Sequence, residues 1–354
     1  MHRSTIAAAL LLAGALPLSA QERVPSGQRA QLTDERVEIF AAVGTVTLRK
    51  TSGNAVTVTA TAQGSDGSQL VFETDHNGST GRFRVVFPDV DAIAGPRDQD
   101  HNGSTELNLR SDGTFGGDDN WRHRGDRVRV GGSRGLQAWA ALEIGVPDGK
   151  NVKVHLAVGH ASADGVNATV LVDTWGANAE ATNIAGDWVF DTGSGNVSVR
   201  GGRGTLRFDT GSGDVIASDI TGDLLDCDTG SGSVDVTDVQ VDRFNFDTGS
   251  GDVRARNLKA RRGVVDTGSG DADIVFTGGA VDDLSIDTGS GKAYLTLPPN
   301  ADARVSIETS GGDATVQRSG AVYERRDEDT VVLRFGQGRG RVRIDTGSGD
   351  VVIR

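Results

Sequence analysis

The pentapeptide Asp-Thr-Gly-Ser-Gly occurs seven times in this 354-residue chain, beginning at Asp191, Asp209, Asp228, Asp247, Asp266, Asp287 and Asp345. When the degenerate copy Glu308-Thr-Ser-Gly-Gly is counted, successive starts from Asp191 to Glu308 lie 18, 19, 19, 19, 21 and 21 residues apart. A repeat of this length marks a solenoid, in which each copy forms one rung and no rung buries its apolar residues without a neighbour.

Aligning the copies on the aspartate exposes columns with strand periodicity. One residue before it stand Phe190, Phe208, Cys227, Phe246, Val265, Ile286, Ile307 and Ile344; three before it stand Trp188, Leu206, Leu225, Phe244, Gly263, Leu284, Val305 and Val342. The residue between is mostly polar, which is the alternation of a strand with one buried face. Six and eight residues after the aspartate a second pair of columns follows, opening with Val197 and Val199 and closing with Val351 and Ile353. Ile220, Val239 and Leu258 add a third apolar column. Each copy therefore predicts two short half-buried strands joined by Thr-Gly-Ser-Gly, with a second turn such as Asp219–Asp223. The expected fold class is all-β, a single-stranded parallel β-solenoid (β-helix) of about 19 residues per rung. Upstream the period continues through Asp173 and His155, giving roughly ten rungs and about 50 Å of stack at a strand spacing of about 4.8 Å. Between Gln317 and Arg341 the pattern breaks, and Tyr323–Asp329 followed by Val331–Phe335 reads as a hairpin-like excursion before the final rung.

Residues 1–20 carry His2 and Arg3, an apolar run from Ile6 to Leu16 and the small residues of Leu18-Ser19-Ala20, the pattern of a secretory signal peptide. The expected organisation is this leader, an N-terminal extension over 21–34, an irregular β region over 35–150 with a low-complexity insertion at 89–134, and the regular solenoid over 151–354. The insertion is rich in Gly, Asp and Arg and reads as a mobile loop. Removing the leader leaves 35 basic residues against 49 acidic ones, a net charge of −14. Such a surface disfavours nucleic acid and anionic lipid, whose phosphates need clustered Lys and Arg. Cys227 is the sole cysteine, which excludes an intramolecular disulfide; it replaces Phe in an apolar column and reads as a small buried hydrophobe.

Repeats of the form Phe-Asp-Thr-Gly-Ser-Gly-Asp-Val, as at 208–215, together with units such as Leu297–Ile307, resemble the DUF4097 family of bacterial exported proteins. The resemblance covers roughly 35–88 and 140–354. It implies a β-helix-like fold at the cell envelope and an adhesin-like label, and supplies no catalytic residues.

The motif Val189-Phe190-Asp191-Thr-Gly-Ser194 also resembles the active-site signature of pepsin-like aspartic proteases. That chemistry needs two carboxylates sharing a proton, one from each lobe. Seven evenly spaced copies make a column instead. Turn chemistry accounts for the motif more simply: Asp and Ser cap local amides, Gly supplies positive φ, and Thr hydroxyls form a ladder. A second acidic column, Asp214, Asp252, Asp271, Asp313 and Asp350, is interrupted by Asn196, Ser233 and Lys292. Carboxylates in Gly-rich turns are suitable ligands for calcium, although the nine-residue calcium-binding repeat is missing. His155 and His160 are the only histidines close in sequence, and their spacing suits no metal. Trp175 sits in a rung turn where an exposed indole would contact carbohydrate. Lys259, Arg261 and Arg262 form the one compact basic group of the repeats.

The resulting expectation is an exported, non-enzymatic envelope or surface solenoid, periplasmic, cell-surface or extracellular, acting as an adhesin-like binding or scaffold module. Its partner would be a surface polysaccharide or an envelope protein; no catalytic, cofactor or metal-binding residue is assigned. The alternative is a calcium-dependent, carbohydrate-active β-helix protein such as a polysaccharide lyase.

Overall fold

The computed structural model describes residues 21–96, 104–116 and 125–354, so the leader lies outside the described residues. Within them the chain is a parallel β-solenoid. Asp191 pairs in register with Asp209, Asp209 with Asp228, Asp228 with Asp247, Asp247 with Asp266 and Asp266 with Asp287. Rungs are named below by their residue in this column. The apolar columns point inward throughout: Trp188, Leu206, Leu225, Phe190, Phe208, Cys227 and Phe246 are all buried. Gly263, the exception in the column three residues before the aspartate, makes room for a neighbour. A Cβ there would stand 2.0 Å from Cζ of Phe244, whose ring occupies the space in the next rung.

Each rung turns twice. The Thr-Gly-Ser-Gly corner leads from one side to the other. The opposite edge turns at a residue with left-handed backbone, and in five successive rungs this is Asn183, Gly201, Asp219, Asp238 and Asn257, with φ between 54° and 73°. Asn, Asp and Gly are the residues that accept this conformation at least cost. Asn257 Nδ2 donates to Asp238 Oδ1 at 2.9 Å, tying two of these corners together.

The stack is not laid down in sequence order. The strand Gly340–Thr346 pairs parallel with Asp283–Thr288 on one side and with Ala303–Thr309 on the other. Its continuation Val351–Ile353 likewise separates Ala293–Thr296 from Ala314–Val316. The Asp345 rung is therefore slotted between the Asp287 and Glu308 rungs. The excursion before it is a hairpin, Val322–Arg326 antiparallel to Thr330–Arg334. Thr330–Arg334 also runs antiparallel to Ala303–Thr309, so this hairpin, rather than the C-terminal rung, closes that side of the stack.

At the other end, Asn151–Asp164 pairs parallel with Arg36–Lys50, a single long strand. Antiparallel pairs finish the two sides: Val71–Asn77 with Thr80–Val86, and Val56–Gln63 with Trp139–Val146. The insertion at 89–134 contains more order than its composition suggests. Its described residues form a small sheet of Ala92–Ile93, Ser104–Leu109 and Asp126–Gly131, with Leu107, Leu109, Phe115, Val128 and Val130 buried. Leu107 with Leu109 and Val128 with Val130 alternate over too few residues to stand out from the Gly-, Asp- and Arg-rich stretch around them.

Replacing Phe246, fully buried between Cys227 and Val265, with Ala is expected to cost about 3–5 kcal/mol in a chemical melt. A loss below about 1 kcal/mol would contradict this register.

Candidate functional site

The most repeated chemistry lies at the Thr-Gly-Ser-Gly corner. The threonines Thr192, Thr210, Thr229, Thr248, Thr267, Thr288 and Thr346 are 0–2% exposed. A buried hydroxyl is costly unless bonded, and here each is. Thr248 Oγ1 donates to Gly232 O of the preceding rung at 2.8 Å and accepts from Gly251 N at 3.0 Å. Thr210, Thr229 and Thr267 repeat the pattern. Thr192, Thr288, Thr309 and Thr346 donate instead to a carbonyl of their own rung, at 2.7–2.9 Å.

The corner glycines are explained by proximity, not by positive φ, which corrects the sequence reading. None of the glycines at these corners occupies the left-handed region. A Cβ on Gly213, Gly232, Gly251 or Gly270 would stand 1.9–2.0 Å from the carbonyl oxygen of the equivalent glycine one rung back. Only hydrogen fits between backbones stacked this closely.

The second acidic column is likewise committed to structure. Asp214 N donates to Asn196 Oδ1 at 2.9 Å, Ser233 N to Asp214 Oδ1 at 2.8 Å, Asp271 N to Asp252 Oδ1 at 2.9 Å and Lys292 N to Asp271 Oδ1 at 2.8 Å. Each side chain accepts the backbone N–H of the next rung, which is why Asp, Asn and Ser interchange in this column. Lys292 cannot accept and instead pairs with Asp350 at 2.8 Å. Its ammonium, with the backbone N–H of Asp313, holds the Asp350 carboxyl below its ordinary range. Among the described residues no group of three or more His, Cys, Asp or Glu side chains has a metal-holding arrangement.

The first aspartate column behaves differently. Asp228, Asp247 and Asp287 point outward, and partial burial, then the charges of neighbouring aspartates, push their carboxyls upward. A carboxyl whose pKa is higher in the folded chain holds its proton more tightly there, so folding loses stability as pH rises from the unfolded value of about 3.9. The loss is complete above the folded value. Asp247→Asn should therefore raise the melting temperature at pH 7, and the gain should vanish below pH of about 3.5, where both side chains are neutral. An equal gain at both pH values would show that charge is not the cause.

This column changes character at the N-terminal end, where Arg84, Phe40, His155 and Asp173 are successive neighbours. The insertion covers them. Phe115 packs edge-on to Phe40 at 6.1 Å and to Trp175 at 5.8 Å, while His155 stacks on Phe40 at 4.5 Å with Nδ1 2.8 Å from Asp173 Oδ2. Arg84, 2% exposed, donates to Asp112 O at 2.7 Å and lies 3.0 Å from Asp75 Oδ2 and 3.4 Å from Glu73 Oε2. Trp175 is thus half-buried with Phe115 packed edge-on against it, less open than the fully exposed indole that its place in a turn suggests. His160 stands apart from His155, in the Asn/Asp column beside Asn178 and 4.0 Å from Glu180. His101, His123 and Trp121 lie outside the described residues. Trp139 Nε1 donates to Gln63 Oε1, and Trp188 Nε1 to Ala185 O. Cys227 is fully buried, and desolvation, then the Asp226 charge, pushes its thiol well above the ordinary range, the setting of a small buried hydrophobe.

The basic group at Lys259, Arg261 and Arg262 is largely neutralised: Arg261 pairs with Asp282 and Arg262 with Asp242. Sequence order hid a second group. Slotting Arg341 and Arg343 between the Asp287 and Glu308 rungs sets Arg341 beside Arg304, 37 positions earlier, and Arg304 beside Arg334.

A parallel solenoid whose corners are sealed by a buried threonine ladder and back-to-back glycines defines a repeat scaffold with two broad solvent-facing sides. The family model described as Toastrack DUF4097 matches residues 141–354, and the chain belongs to that family. Among solved structures, a putative cell adhesion protein from Clostridium sporogenes aligns at 12% identity over 95% of this chain and 99% of that one. Its TM-score of 0.18 is too low to carry an argument. No curated protein matches.

Proposed function

We propose that this protein is an exported, non-enzymatic solenoid of the cell envelope or cell surface that acts as an adhesin-like binding or scaffold module. One observation carries the reading. The buried threonines and the Asn/Asp/Ser column at the corner are engaged in backbone bonds that hold the stack, whereas an outward column on the same rungs varies freely. In register it runs Val189, Arg207, Asp226, Asn245, Val264 and Ser285. A regular frame carrying a non-repeating face suits recognition by many modest contacts. The leader-like residues 1–20 support export, and the family membership supports the scaffold.

The test is binding of the purified protein to polysaccharide and protein fractions of isolated cell envelope, with product analysis of the same glycans in calcium and in EDTA. Retention on one fraction without new products is expected. Shortened or unsaturated glycan products would overturn the non-enzymatic reading, and retention on no fraction would overturn the binding role.

A further inference from the structure

Near the end of the stack closed by the hairpin, the variable face gathers positive charge on a chain whose formal net charge is −13. The register places Arg341 between Asp283 and Arg304, and Arg343 between Ser285 and Ser306. All of these except Ser285, which stands beside Arg343 on the next rung, line an open depression of about 500 Å³, together with Asp282 and Arg339. Several of its charges are already engaged: Arg304 with Glu324 at 2.8 Å, Arg339 with Asp302 at 2.5 Å and Asp282 with Arg261 at 2.6 Å. Arg341 and Arg343 are exposed, and neither guanidinium has an ion-pair or hydrogen-bond partner among the described residues. Both lie on the same side of one strand, about 6.8 Å apart. The hydroxyls of Ser285 and Ser306 flank Arg343 on the neighbouring rungs.

A second cleft of about 280 Å³ shares Asp282, Arg339 and Gly340 with this depression and adds Val281, Leu297, Pro298 and Ala301. Cationic, hydroxyl-bearing and apolar surfaces therefore meet within one concave region. That combination fits a sugar ring bearing a carboxylate. The guanidiniums take the carboxylate in fork geometry, the serines reach ring hydroxyls, and the apolar wall meets the C–H face of the ring. Dense polyanions fit poorly, because Asp283 borders the site and the remaining surface is acidic.

We propose that Arg341 and Arg343, with Ser285 and Ser306, form a subsite for a uronic acid residue carried singly on an otherwise neutral glycan. The subsite rests on the binding-module reading and names the ligand class for one part of its face.

Calorimetric titration of the purified protein with a glucuronate-terminated disaccharide, its neutral glucose counterpart and inorganic phosphate tests it. The uronate is expected to bind at least about tenfold more tightly than the neutral sugar, the scale of one charge-assisted fork. Arg341→Ala with Arg343→Ala should remove that preference, while Arg200→Ala with Arg203→Ala, exposed and outside the variable column, should leave it intact. Melting temperatures of both pairs should match the parent. If the first pair melts low, Arg343→Lys, which keeps the charge and loses the fork, carries the test by weakening uronate binding alone. Equal affinity for both sugars, unchanged affinity in the Arg341/Arg343 variant, or phosphate binding as tight as the uronate would each overturn the subsite. Retention of neutral envelope glycans without uronate binding would sink the subsite and leave the module standing. Failure of every glycan and envelope fraction would sink both.

Discussion

Gly232→Ala should abolish stable folding of the central rungs, or cost at least about 4 kcal/mol, the range reserved for the most disruptive single changes. The new Cβ would lie 1.9 Å from Gly213 O and 2.5 Å from Gly213 C, with Thr229 Oγ1 only 2.9 Å away. None of these atoms is the loose end of a flexible side chain. The Gly213 carbonyl accepts the hydroxyl of Thr229 at 3.0 Å, and that hydroxyl accepts Gly232 N at 3.0 Å. Relieving the overlap would therefore break the threonine ladder at two points and leave buried polar groups unpaired, a further penalty of about 1–3 kcal/mol each. The exposed neighbour Ser231→Ala, by contrast, should stay within about 0.5 kcal/mol of the parent. Urea melts of the two variants make the comparison. A Gly232→Ala protein within 1 kcal/mol of Ser231→Ala, at about the resolution of such melts, would mean that the rungs are spaced more widely at this corner.

Deleting residues 340–354 should cost more than removing one rung from an end. Val342, Ile344, Val351 and Ile353 are 0–1% exposed, and at about 1.5–3 kcal/mol each their burial contributes on the order of 6–12 kcal/mol. Because this rung is interior, its loss also separates the Glu308 rung and the hairpin from the Asp287 rung. In a stack stabilised by nearest-neighbour contacts, the damage should be local. Hydrogen exchange is expected to show protection lost over 303–335 and retained over 187–276. Full protection over 303–335 in the shortened chain would mean that the Asp287 and Glu308 rungs can pair directly.

Much of this architecture is legible in the one-dimensional pattern because a solenoid repeats its contacts at fixed sequence separation. Phe208 and Phe246 are identifiable as core from the columns alone, and so is Cys227. What escapes depends on contacts without a period. The placement of Asp345 before Glu308 is invisible because both copies carry equivalent apolar columns, Val305 and Ile307 against Val342 and Ile344, and would dock equally well in either order by pattern. The arginine face is hidden with it, since Arg304 and Arg341 become neighbours only through that inversion. The corner glycines read as positive-φ residues, a role they do not have, because sequence shows that a Cβ is missing but not what would have met it. Trp175 looked exposed for the same reason: its edge-on neighbour, Phe115, comes from a stretch with no recognisable period.

The two edges of each rung differ in how much change they permit. From the buried threonine to the next inward residue the count is fixed, as in Thr192 to Val197, Thr248 to Val253 and Thr346 to Val351. The growth from 18 to 19 residues is taken up on the other edge, where Gly204 pairs with Gly222 but Thr205 with Leu224, leaving Asp223 unmatched. The later growth to 21 falls on the same edge, in the link between Ala272–Phe276 and Asp283–Thr288. Insertions and deletions fixed during descent should therefore accumulate along one seam of the molecule, and foreign loops grafted there should be tolerated. Tandem duplication of a whole unit would lengthen the rod by about 4.8 Å without requiring a single new kind of contact.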